Sequence, residues 1–70
     1  MIDKKKALEI AQENAGKVYR DLSVYAVKIE LQTNNWHIDY ILKDKNLDGG
    51  GPHYIISAET GQILEMRFEQ

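Results

Sequence analysis

The run from Gly49 to Leu64 constrains the fold more than any other part of the chain. It reads Gly49-Gly50-Gly51-Pro52, then His53 to Ser57, then Ala58-Glu59-Thr60-Gly61, then Gln62-Ile63-Leu64. Glycine, proline and small polar residues punctuate the run, and β-branched and aromatic residues fill the intervals. The pieces are therefore a glycine loop, a strand, a tight turn and the start of a second strand. Three glycines ahead of Pro52 permit positive φ and close backbone approach, as a bulged strand entrance requires. A phosphate loop would need a helix directly after its glycines, and here a strand follows.

Upstream the hydrophobic period changes once. Ala7, Leu8, Ala11 and Ala15 recur at helical spacing with Ile10 beside them, Asp3 is a suitable N-cap, and Gly16 stands where a left-handed C-cap belongs. This predicts a helix from about Lys4 to Ala15, whose alanine-rich stripe permits close approach to a sheet but buries little area per residue. From Leu22 to Leu31 the period is two, with Tyr25, Val27, Ile29 and Leu31 on one face and Ala26, Lys28 and Glu30 on the other. Thr33-Asn34-Asn35 supplies turn residues, and Trp36, Ile38, Tyr40 and Leu42 then alternate against His37, Asp39, Ile41 and Lys43. Strands over Pro52 to Ser57 and Gln62 to Phe68 complete the pattern. The expected architecture is α+β: one N-terminal helix packed on a four-stranded antiparallel meander sheet, in two layers. Trp36 is the expected largest core anchor. Ile41, Ile55 and Ile63 fall on the parity opposite to many core positions, which predicts an apolar strip on the second sheet face.

Seventy residues make a single domain over positions 1–70. A domain of this size buries only about 60% of the surface its unfolded chain exposes, so a partner or a second copy would help it. There is no cysteine, which excludes disulfides and thiolate zinc sites. Nine basic against eleven acidic side chains give a net charge of -2 and no basic face of the kind nucleic acids require. No apolar run approaches the roughly 18 residues of a membrane helix, and Met1 to Lys6 lacks the apolar core of a signal peptide. As written the chain reads as cytoplasmic, and as an envelope or secreted domain if it is a piece of a longer protein.

The helix segment Lys6-Ala7-Leu8-Glu9-Ile10-Ala11, the strand Trp36-His37-Ile38-Asp39-Tyr40 and the ending Tyr54 to Leu64 resemble the PepSY domain over nearly the whole chain. Ala58-Glu59-Thr60-Gly61 is similar to that family's Asp-Ala-x-Thr-Gly turn, with Ser57 where aspartate is usual. The run Gly49-Gly50-Gly51-Pro52-His53 resembles small bacterial immunity-type proteins described as NTF2-like or cystatin-like. Both resemblances imply a helix on a curved antiparallel sheet. PepSY domains occur in propeptides of thermolysin-type metallopeptidases and in bacterial envelope proteins, with an inhibitory or protein-binding role; immunity-type proteins neutralise a partner toxin. Neither resemblance carries an active site over to this chain.

Read residue by residue, the sequence offers few chemical sites. Asp44-Lys45-Asn46-Leu47-Asp48-Gly49 matches the first half of a calcium loop, but Ile55 stands where the bidentate carboxylate belongs, and the segment reads as a polar turn. Ser57, His53 and Asp39 supply the types of a hydrolytic triad, yet His53 and Ser57 lie about 13 Å apart along one strand. His37 and Asp39 share the second sheet face as a solvated polar pair, and His53 is expected as a structural histidine at the strand entrance. Lys4, Lys5 and Lys6 oppose the helix dipole mildly and read as a solvated turn.

These observations predict no catalytic residue, no metal and no cofactor. The expected function is a non-catalytic protein-binding or inhibitory module, acting on a protease or toxin through a sheet face or the 44–51 loop. His37, Asp39, Ile41, Gly50, Gly51 and His53 are its candidate partner-binding residues. The alternative is a structural module that self-associates as a homodimer through an edge strand or the apolar strip.

Overall fold

The computed structural model describes residues 1–19, 21–44 and 51–68. Helix α1 spans Lys4–Ala15 and is followed by strands β1 (Tyr25–Gln32), β2 (Asn35–Leu42), β3 (Pro52–Ser57) and β4 (Ile63–Phe68). The strands are antiparallel and lie in the order β1-β2-β3-β4, the four-stranded meander expected from the alternation, with α1 packed on the two central strands.

The helix starts where Asp3, in extended backbone, accepts a hydrogen bond from the Lys6 N–H at 2.8 Å. Ala7, Ala11 and Ala15 recur every fourth residue and are all fully buried, so the backbone of α1 sits close against the sheet. The left-handed cap expected at Gly16 is not formed. Gly16 is right-handed (φ -63°), and the chain keeps turning: the Val18 and Tyr19 N–H groups both bond to the Ala15 carbonyl, at 3.0 and 2.9 Å. That extra winding leads to Tyr19, which packs against the core beside Tyr25 and Phe68.

β1 begins at Tyr25 rather than Leu22. Asp21 accepts from the Ser23 N–H at 2.9 Å, and Leu22 C=O takes the Tyr25 N–H at 3.1 Å, so a side-chain turn occupies the first residues of the predicted strand. The β1–β2 connection is a two-residue turn with both Thr33 (φ 49°) and Asn34 (φ 61°) left-handed, the mirror-image turn whose twist suits a hairpin. Between β3 and β4 the chain turns at Ala58–Gly61. Gly61 takes φ 80° and donates to the Ser57 carbonyl at 2.8 Å. The Ser57 hydroxyl accepts from the Glu59 and Thr60 N–H groups, each at 3.3 Å, the local capping that an aspartate would perform at the same place.

The core lies between α1 and the inner sheet face: Ala7, Ala11, Ala15, Ile38, Tyr40, Tyr54 and Ile56. Its largest fully buried side chains are Tyr40 and Tyr54, not Trp36. Trp36 is half-buried and clasps the N-terminal segment instead, its indole N–H donating to the Ile2 carbonyl at 3.2 Å. At the opposite end of the sheet Tyr19, Tyr25, Tyr40, Tyr54 and Phe68 form a closed circuit of neighbouring rings, with centroids 5.8 to 6.4 Å apart. The circuit draws one ring from each strand and one from the segment after α1.

Candidate functional site

Because α1 covers only the inner face, the outer face is the surface on which the sheet displays side chains of its two central strands. Strand register sets what meets there. Asp39 on β2 stands between Lys28 on β1 and His53 on β3, and His53 in turn opposes Arg67 on β4. The next row toward the β1–β2 turn runs Glu30, His37, Ile55, Glu65, and on the other side Ile41 pairs with Ala26. The face is a pair of mixed-charge rows, one of them holding Ile55, with Ile41 and Ala26 beside them.

Asp39 and His53 are joined directly, His53 Nδ1 to Asp39 Oδ1, with side chains 40% and 25% exposed. A half-exposed pair of this kind holds the imidazole in one orientation. Beside it, Glu30 is held below the usual carboxylate range, first by the amide of Gln32, which donates at 2.9 Å, and then by the nearby Lys28 charge. Ile41 is half exposed, and Ile55 is half-buried between His37 and Glu65.

The candidate residues separate into three groups. His37, Asp39, Ile41 and His53 come together on the outer face. Gly51 does not belong to that surface: it is buried, and a Cβ there would lie 2.5 Å from the Tyr40 carbonyl oxygen and 2.8 Å from the Tyr25 ring. Its lack of a side chain serves the close approach of β3 to β2, where the Gly51 N–H supplies the Tyr40 carbonyl at 3.2 Å ahead of Pro52, which has no N–H to give. Gly50 lies outside the described residues, as does most of the calcium-loop segment. His53 is half-buried on the outer face and bound to the Asp39 carboxylate.

Ile63 leaves the expected outer strip. A register shift between Ile55 and Ile56 puts Ile63 opposite Ile56 and against the core, so the strip consists of Ile41 and Ile55. Two members of the imagined triad do meet, Asp39 and His53, but the Ser57 hydroxyl is engaged in its own turn and a full row of the sheet separates it from His53. Among the described residues no group of three or more histidine and acidic side chains is placed to hold a metal ion. No helix among them is long and apolar enough to cross a membrane.

Lys28, Glu30, Glu65 and Arg67 are the residues of this face that sequence reading did not single out. Their alternation with the inward set was the available sign. The alignment of β3 with β2 and β4 completes the face, and it depends on a loop and a bulge that alternation does not encode.

No protein-family model matches the sequence, and no curated protein and no solved structure matches it.

Proposed function

We propose that this chain is a non-catalytic protein-binding or inhibitory module of PepSY-like or immunity type, and that it engages its partner, a protease or a toxin, through the outer sheet face. The observation that supports this reading is the composition of that face. The Asp39–His53 pair occupies the middle of the face, with half-exposed Ile41 on one side and His37 and partly buried Ile55 on the other, and Lys28, Glu30, Glu65 and Arg67 form the margin. A partly exposed surface that mixes apolar side chains with charges of both signs has the composition of a non-obligate protein interface, in which the charges set orientation more than affinity. The near-neutral balance of charge favours a protein over a nucleic acid as the partner.

The test is affinity capture on the tagged full chain from lysate and envelope fractions, run in parallel with Ile41→Ala and His37→Ala variants whose circular dichroism matches wild type. One protease or toxin recovered in near-equal amount with wild type, and lost with both variants, is the expected result. A stoichiometric partner that both variants retain would remove the outer face from the proposal. A second reading, self-association, is favoured by a different surface, the open edge of β1.

A further inference from the structure

We infer that two copies of this chain pair antiparallel along β1, joining two sheets of four strands into one of eight about a twofold axis at Ile29. This surface is the open edge of β1, which shares Lys28 and Glu30 with the margin of the outer-face patch. The Thr33–Asn34 turn fixes which backbone groups of β1 face outward. In a two-residue hairpin the flanking residues, here Gln32 and Asn35, exchange both backbone hydrogen bonds, and the pairs beyond them alternate. Ala26, Lys28, Glu30 and Gln32 therefore bond to β2, and the N–H and C=O groups of Val27, Ile29 and Leu31 point to the open edge. Two contacts agree with this parity: the Lys43 N–H extends the ladder to the Val24 carbonyl at 3.0 Å, and the Tyr25 N–H turns to Leu22 instead of to β2.

An antiparallel copy centred on Ile29 uses those outward groups. Ile29 exchanges hydrogen bonds with the partner's Ile29, and Val27 does so with the partner's Leu31. Lys28 then faces the partner's Glu30, and Glu30 the partner's Lys28, in the closer non-hydrogen-bonded pairs where opposite charge stabilises a sheet. Within one chain Lys28 and Glu30 already form an ion pair at 3.4 Å, so the four side chains close into one ring of alternating charge. On the inner face Val27 and Leu31 are 38% and 49% exposed, because α1 lies on β2 and β3 and does not reach them. In the dimer each covers the other's counterpart. A backbone edge, a charge pattern and two exposed apolar side chains are all satisfied by the same register.

The other edge is the poorer template. Glu65 and Arg67 flank Met66 on β4 in a similar way, but that strand has six residues and a register shift, whereas β1 has eight in an unbroken ladder. A bulge twists an edge away from flat pairing.

The test is sedimentation velocity on the full chain across a dilution series, where the expected mass rises toward twice 8.1 kDa with concentration. Lys28→Glu makes the edge doubly acidic and Glu30→Lys makes it doubly basic. Each alone weakens self-association by about tenfold, whereas an equal mixture of the two variants forms a heterodimer, since every acidic position then meets a basic one. Leu31→Lys, which leaves the bonds to β2 intact, also shifts the equilibrium toward monomer. A wild-type mass of one chain at every concentration would overturn the inference. So would a dimer indifferent to these variants, or one that responds instead to Glu65→Lys and Arg67→Glu on β4.

Discussion

The Tyr54 hydroxyl donates to Asn14 Oδ1 at 2.8 Å, which ties the middle of the sheet to the third turn of α1 across an otherwise apolar layer. Tyr40, the neighbouring ring on β2, is equally buried, yet its hydroxyl has no hydrogen-bond partner among the described residues. Two chemically identical groups side by side therefore make opposite contributions. Tyr54→Phe should destabilise the domain by about 1 kcal/mol, because it removes a bond and strands the Asn14 amide. Tyr40→Phe should be neutral or stabilising by up to about 1 kcal/mol, because it removes a buried hydroxyl that is already unsatisfied. Urea unfolding of the two variants checks the contrast, and equal losses would contradict it.

Burial also pushes the Tyr54 hydroxyl up to about 12 from an ordinary value of 10, with the neighbouring Tyr40 and Tyr19 adding to the effect. The unfolded chain gives up this proton near pH 10 while the folded chain keeps it, so the folded state binds more protons in that interval. Stability should be complete below pH 10 and fall as pH rises from 10 toward 12. Tyr40 and Tyr19 are raised in the same direction by burial and steepen the decline. Unfolding midpoints followed through this window should drop in wild type and drop less in Tyr54→Phe; a flat wild-type profile would contradict the assignment.

Gly51→Ala should cost about 1–3 kcal/mol, since its Cβ would have to displace backbone at the β2–β3 junction rather than the end of a flexible side chain. Differential scanning calorimetry would show this as a lowered Tm. An unchanged Tm would mean that the strands can separate there without penalty.

Thr33 is a β-branched residue in the left-handed region, at φ 49°, where such residues are strained. Replacing Thr33-Asn34 by Asn-Gly, which suits the same mirror-image turn, should stabilise the domain by roughly 0.5–1 kcal/mol. Chemical denaturation measures it directly. A loss of stability would indicate that the Thr33 side chain has a role of its own.

Much of the architecture is legible in the sequence because its elements are periodic and sharply punctuated. The limits of α1 and β3 coincide with Lys4–Ala15 and Pro52–Ser57 as read from capping, glycine and proline. Three features were not legible. Gly16 looks like a left-handed cap by identity, but winding on brings Tyr19 to the aromatic circuit, and that packing gain cannot be seen locally. Ile63 changes face because one bulge reverses the parity of the strand residues beyond it. Trp36 ranks first by size, yet it stands near the start of β2, where its indole reaches the Ile2 carbonyl and it is only half-buried. The outer face was half legible: alternation places His37, Asp39 and Ile41 together, while the Asp39–His53 contact exists only through the β2–β3 register.

The aromatic circuit has a kinetic meaning. Its contacts between neighbouring strands form as each hairpin closes, but the approach of Tyr19 to Phe68 spans most of the chain and must wait until β4 has docked. The loop entropy of that closure comes late, after the local hairpins have formed. Phe68 should therefore behave as a latch: shortening its side chain should leave the refolding rate nearly unchanged and speed unfolding, so that the end of β4 sets the lifetime of the native state more than the rate of reaching it.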